Sequence, residues 1–285
     1  MSNQTVFVLG AGFSCLAGIP LMYELRAEVL SDPRVQNLPA LADQDKQRSL
    51  EEILLDLRGR ADESATQAHD AMLNASLCLL WKKHQTMPDL PEAYARFARV
   101  AGDGVGIVSL NWDLVCELAL YAADIKWSYS TDRGIPVVKP HGSINWTNHP
   151  QLSKQKWKSG NGFAQIVDER SISYRPDDPF RDPLLGYTDS DFKYVTFPGL
   201  LQENPEATNR IWAEARSLIV KASRVVFIGY SLPCYDTRSR SEFQTACSGK
   251  EVLVIDPSEQ ALETHQNHFG KGVVGRLGKF DESDL

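Results

Sequence analysis

The sequence predicts an α/β protein built on a doubly wound parallel sheet. Three observations point there: short apolar runs rich in β-formers, helical periodicity in the stretches between them, and glycine or small polar residues where the runs end.

The first run, residues 5–9, is followed by a glycine and reads as a strand buried on both faces. Runs of the same kind follow at "VGIVSL" 105–110, "IPVVKP" 135–140, "RVVFIG" 224–229 and "KEVLVID" 250–256. Residues near 20–30, 49–60, 64–85, 91–101, 113–123, 206–222 and 257–268 carry apolar side chains at three- and four-residue intervals, as amphipathic helices do. Two segments interrupt the alternation. Residues 31–104 read as a helical insertion capping the sheet; residues 147–200, rich in Pro, Gly, Asp and aromatics, read as a small irregular lobe with a few short strands. The whole chain, 1–285, is expected to form one domain, with no internal repeat or low-complexity tract.

Composition narrows the function. With 285 residues, 42% of them hydrophobic, the chain can bury one substantial core. A net charge of −7 argues against a surface adapted to phosphate backbones, so no direct nucleic-acid binding is expected; "KKH" 82–84 and "KQKWK" 154–158 read as solvated faces. Cys15, Cys78, Cys116, Cys234 and Cys247 are odd in number, scattered and without a C-x-x-C pair. That spacing fits neither a disulfide framework nor a zinc site, and a reducing cytoplasm with no bound metal is the expectation. No signal-peptide pattern and no membrane-spanning window is expected.

In doubly wound sheets, ligands lie across the carboxyl ends of the strands. Four clusters fall there. In "GAGFSC", Gly10 and Gly12 would let a pyrophosphate approach the backbone and Ser14 adds a hydroxyl, but Cys15 stands where a dinucleotide fingerprint has its third glycine, and a tight structural turn reads equally well. In "SLNWDL", Asn111 and Asp113 either cap the next helix or meet a ligand. In "KPHGSINW", His141 can exchange a proton near neutral pH; His149 lies in polar loop sequence. In "GYSLPCYD", Gly229 and Ser231 can hold a second phosphate or a ribose, and Asp256 in "VIDPS" can accept from ribose hydroxyls, while Asp236 and Ser258 read as helix caps.

Taken in order, the clusters resemble the catalytic domain of the sirtuin superfamily: Gly10, Ala11, Gly12 and Ser14, then Gly18, Ile19 and Pro20, then Asn111 and Asp113, then His141 and Gly142, then Gly229 and Ser231, then Asp256. The likeness covers residues 5–30, 105–146 and 224–280. It implies a Rossmann-like sheet binding NAD+ as a substrate through Gly10, Ala11, Gly12, Phe13, Ser14, Gly229, Ser231 and Asp256. It also implies roles for Asp113 toward the nicotinamide carboxamide, for Asn111 in ordering ribose and water, and for His141 as base.

Two departures separate the chain from protein deacylases. Residues 147–200 contain no cysteine, so the lobe lacks the zinc-ribbon pairs, and Leu21, Met22 and Tyr23 replace the charged residues that usually follow G-I-P. What remains is similar to sirtuin-like NAD+ glycohydrolases of bacterial anti-phage defence. That likeness implies a cytoplasmic NAD+-depleting effector of abortive infection, homo-oligomeric or joined to a HerA-type ATPase or an Argonaute-like partner. A deacylase, an ADP-ribosyltransferase and a non-catalytic NAD+ or ADP-ribose sensor are the alternatives.

Overall fold

The computed structural model describes residues 4–41, 48–87, 89–104, 106–129, 134–144, 205–270 and 272–280. The expected irregular lobe, His149 and the 154–158 basic cluster lie outside these residues.

The sheet has seven strands, all parallel, in the order β3-β4-β2-β1-β5-β6-β7. The five expected runs form β1 (Thr5–Leu9), β2 (Gly106–Ser109), β4 (Ile135–Val138), β5 (Arg224–Ile228) and β6 (Glu251–Asp256). In β1 and β5 the last four residues are all buried, and in register Val6 pairs with Gly106 on one side and Val225 on the other. That two-sided burial explains why these strands read as continuous apolar runs. Two strands are added at the edges: β3 (Trp127–Ser128) and β7 (Val274–Leu277), the latter exposed throughout.

Each expected helix is present. α1 (Ala11–Ser14) and a 3₁₀ turn (Cys15–Ala17) leave β1, followed by α2 (Met22–Leu30). The 31–104 region holds a 3₁₀ turn (Pro39–Leu41), α3 (Leu50–Gly59), α4 (Glu63–Gln85) and α5 (Glu92–Gly102). The Ser49 hydroxyl accepts from Glu52 N while Glu52 reaches back to Ser49 N, starting α3; Asp62 caps α4. α3 and α4 pack on each other and on α2, whereas α5 lies on the sheet, its Phe97 ring 5.4 Å from Phe7. α6 (Val115–Ala122), α7 (Pro205–Lys221) and α9 (Glu259–Phe269) complete the expected set. α8 (Thr237–Ala246) is an addition; its sequence is mostly polar and only Ser239, Phe243 and Ala246 are buried.

The topology fixes where a ligand can lie. From β1 the chain moves outward to β2, and from β5 it moves outward the other way to β6, so the order reverses between the carboxyl ends of β1 and β5. No described helix is long and apolar enough to cross a membrane.

Candidate active site

Two loops cross at that reversal point. Gly10 N donates to Ile228 O at 3.0 Å, and Gly12 N donates to Gly229 O at 2.9 Å. A Cβ on Gly10 would fall 2.6 Å from Gly229 O, and one on Gly12 would fall 2.7 Å from Gly229 Cα. Gly229 itself has φ +60°, a left-handed conformation. The glycines are therefore demanded by contact between the two loops, and the same contact leaves bare backbone as the floor of a cavity of about 1150 Å³. Gly10, Ala11, Gly12, Asn111, His141, Gly229, Ser231 and Asp256 all line it.

Asn111 is anchored from below. Its Nδ2 donates to Gly10 O at 2.8 Å and to Ser14 Oγ at 3.1 Å, and Ser14 Oγ donates to Asp113 Oδ1 at 2.9 Å. Both amide hydrogens are thus used, which leaves Oδ1 as an acceptor. Asp113 Oδ1 also accepts from Val115 N at 3.0 Å at the start of α6, so the capping and the site readings of this residue both hold. Burial pushes its carboxyl up, opposed by the Lys139 charge. Lys139 Nζ, fully buried, donates to Asp113 O at 2.6 Å and to Glu117 Oε1 at 2.8 Å, tying the end of β4 to the start of α6.

The structure keeps Phe13, Ser14 and Asp113 off the cavity wall. Phe13 is fully buried among Tyr94, Phe97 and Phe280, its ring 4.8 Å from Phe97, because the loop turns its one large apolar side chain into the core. Ser14 and Asp113 lie under the loop, bonded to each other. The contacts these side chains make in the structure support the glycine loop and Asn111. Tyr94 helps from α5, donating to Phe13 O at 2.7 Å and accepting from Ala17 N at 3.1 Å.

His141 packs edge-on against Trp212 of α7 at 6.0 Å, and its Nε2 lies 3.6 Å from Asp236 Oδ2. Burial lowers its pKa below 6.5, while Asp236 and a hydrogen bond with the Leu110 backbone pull it back up. Asp236 caps α8 by accepting from Ser239 N at 3.1 Å, and it accepts from Tyr230 Oη at 2.7 Å. Its capping role was legible in the sequence; its approach to His141 was not, because 95 positions of chain separate them.

At the far end, Asp256 Oδ1 accepts from Ser258 N at 2.9 Å, and Ser258 caps α9. Burial pushes the Asp256 carboxyl up. α2 and the helical region supply a further wall that sequence reasoning missed: Glu24 and Glu28 from α2, and Ser49, Glu51 and Lys83. Across it, Tyr235 Oη donates to Glu51 Oε2. Lys83, from the "KKH" cluster, pairs with Glu28 at 3.0 Å, and His84 accepts from Leu114 N at 2.9 Å, so that cluster is built into the structure. All five cysteines are free thiols, and among the described residues no group of His, Cys, Asp or Glu is placed to hold a metal ion.

The seven-stranded parallel sheet has the fold of solved Sir2 proteins. A Sir2 homologue solved with NAD is 17% identical over 98% of this chain and 85% of its own, with a TM-score of 0.50. A mutant Sir2 homologue solved with ADP-ribose is 17% identical over 98% of this chain and 88% of its own, with a TM-score of 0.51. A sirtuin solved to explain substrate affinity is 15% identical over 98% and 90%, with a TM-score of 0.50. At such identities the likeness is one of fold. No protein-family model and no curated protein matches the sequence.

Proposed function

We propose that this chain binds NAD+ across the carboxyl ends of β1 and β5 and hydrolyses it to nicotinamide and ADP-ribose. One observation carries the reading: Asn111 and His141, brought from separate strand ends, line one cavity over the Gly10–Gly12 and Gly229 crossing.

The parts divide the work along the dinucleotide. Backbone at Gly10, Ala11, Gly12 and Gly229 gives the pyrophosphate close approach, which a side chain there would block. Asp256, with Oδ1 fixed by Ser258 N, accepts from ribose hydroxyls, and Ser231 adds an exposed hydroxyl nearby. At the other end the Asn111 Oδ1, held in one orientation by two hydrogen bonds, faces the ribose whose carbon gains oxocarbenium-like charge. His141, kept neutral by burial and steadied by Asp236, accepts from a ribose hydroxyl. The leaving group departs as a neutral pyridine, so no acid is needed to protonate it.

The departures from deacylases, together with the likeness to defence NADases, extend the proposal to an NAD+-depleting effector of anti-phage defence. Its activity would be governed by self-assembly or by a HerA-type or Argonaute-like companion. The test is incubation with NAD+ at several protein concentrations, with separation of products. Nicotinamide and free ADP-ribose, formed in a concentration-dependent way, are expected. Release of acyl groups from an acyl-lysine peptide would replace this reading with a deacylase; ADP-ribose left on protein would replace it with a transferase; tight binding without turnover would leave a sensor.

A further inference from the structure

Hydrolysis requires a group to take the proton of the attacking water, and the structure narrows the choice. His141 is buried and hydrogen-bonded with the Leu110 backbone, its Nε2 lies 3.6 Å from Asp236 Oδ2, and its proposed duty is already toward the ribose hydroxyl. Among the described residues five carboxylates line the cavity: Glu24, Glu28, Glu51, Asp236 and Asp256. Glu24 accepts from Leu21 N at 2.8 Å and from Tyr23 Oη at 3.4 Å, and Glu28 is paired with Lys83. Asp236 is fully buried, with one oxygen on Ser239 N and the other on Tyr230 Oη. Asp256 stands at the end of β6, two strands from β1, with Oδ1 held by Ser258 N. Glu51 is half-buried and, among the described residues, has no cation paired with it; its one side-chain hydrogen bond, from Tyr235, falls on Oε2 and leaves Oε1 unengaged.

Its placement is specific. Tyr235 and Asp236 are consecutive, and one touches Glu51 while the other touches His141, so a single loop sets both groups at the same end of the cavity. We propose that Glu51 is the general base of the hydrolytic step, oriented by Tyr235. The C1′–N bond breaks with its electron pair going to nicotinamide; the water oxygen forms the C1′–O bond, and its proton passes to Glu51 Oε1 and then to solvent. The inference deepens the proposed NAD+ hydrolysis and rests on it.

The groups facing the Glu51 carboxyl fit that duty. Burial pushes it up to about 7, the Tyr235 hydrogen bond pulls it down, and Asp236 from the loop and Glu52 from its own helix press it up. Lys83, across the cavity on α4, is held by Glu28. A base with a pKa near the working pH combines an ionised fraction with proton affinity.

The test separates bond cleavage from water attack. Hydrolysis is followed as ADP-ribose formation, and cleavage as exchange of labelled nicotinamide into NAD+, which runs the C1′–N step backward without water. Glu51→Gln keeps the side-chain shape and an acceptor for Tyr235. It is expected to lower hydrolysis about 100-fold, within the range for loss of a general base, while exchange persists. Tyr235→Phe removes the bond that holds the Glu51 pKa down, so the acid limb of hydrolysis should move to higher pH. Equal loss of exchange and hydrolysis in Glu51→Gln, unchanged hydrolysis in that variant, or an acid limb unmoved in Tyr235→Phe would each overturn the assignment. Wild-type protein that neither exchanges nor hydrolyses would overturn the NAD+ reading itself, and the assignment with it.

Discussion

Replacing Asn111 with Ala should separate stability from activity. The substitution removes two buried hydrogen bonds, to Gly10 O and Ser14 Oγ, each worth about 0.5–1.5 kcal/mol net. Neither partner is orphaned: Gly10 O still accepts from Phe13 N at 2.9 Å, and Ser14 Oγ still donates to Asp113. The expected loss is therefore at the low end, about 1–2 kcal/mol in all. For a chain of this size that lowers Tm by only about 2–8 °C. Turnover of NAD+ should fall by about 100-fold or more, because a preorganised acceptor at the charged carbon is lost. Thermal unfolding and a nicotinamide-release assay on the same preparation decide the matter. Wild-type turnover in the variant would refute the role, and a collapse in Tm well beyond 10 °C would show that Asn111 holds the fold and not the chemistry.

Three further outcomes follow from other parts of the site. Asp236→Asn keeps a cap for α8 but removes the charge that raises the His141 pKa, so an NMR titration of that imidazole should move to lower pH; an upward move would contradict the contact. Lys139→Met leaves Glu117 charged and buried without its partner, and chemical denaturation should show a loss of about 3–5 kcal/mol; a change under 1 kcal/mol would remove Lys139 from the support of the site. Burial of His265 against Phe227 lowers its pKa to about 4 from 6.5. Between those pH values the unfolded chain binds the extra proton, so this residue withdraws stability as pH falls through the window. His265→Gln should lose less stability than the wild type between pH 6.5 and 4 in urea unfolding, and an equal or steeper loss would contradict the burial effect.

Much of the sheet was legible because β1, β2, β5 and β6 are buried on both faces and so leave an unbroken apolar signature. Edge position removes that signature. Val274–Leu277 contains a glycine and an arginine and is exposed throughout, and Trp127–Ser128 is too short to show a pattern. α8 was missed because it needs only Phe243 and Ala246 for its apolar contact, although Asp236 ahead of it carried the capping signal. In the site, the loop glycines, Asn111, His141 and Asp256 were readable from their positions at strand ends. Side-chain direction was not: Phe13, Ser14 and Asp113 stand at strand ends in the sequence, and packing buries their side chains off the cavity wall. Glu51 left no trace in the sequence, since an acidic residue in the first turn of α3 looks like ordinary helix capping until the fold brings Tyr235 against it.

The most direct test of the account is a crystal structure of the Asn111→Ala protein with NAD+. The pyrophosphate is expected over Gly10–Gly12 and Gly229, the adenosine ribose on Asp256, and the nicotinamide ribose carbon between position 111 and His141. A dinucleotide bound in the reverse direction, or seated away from the glycine crossing, would contradict it.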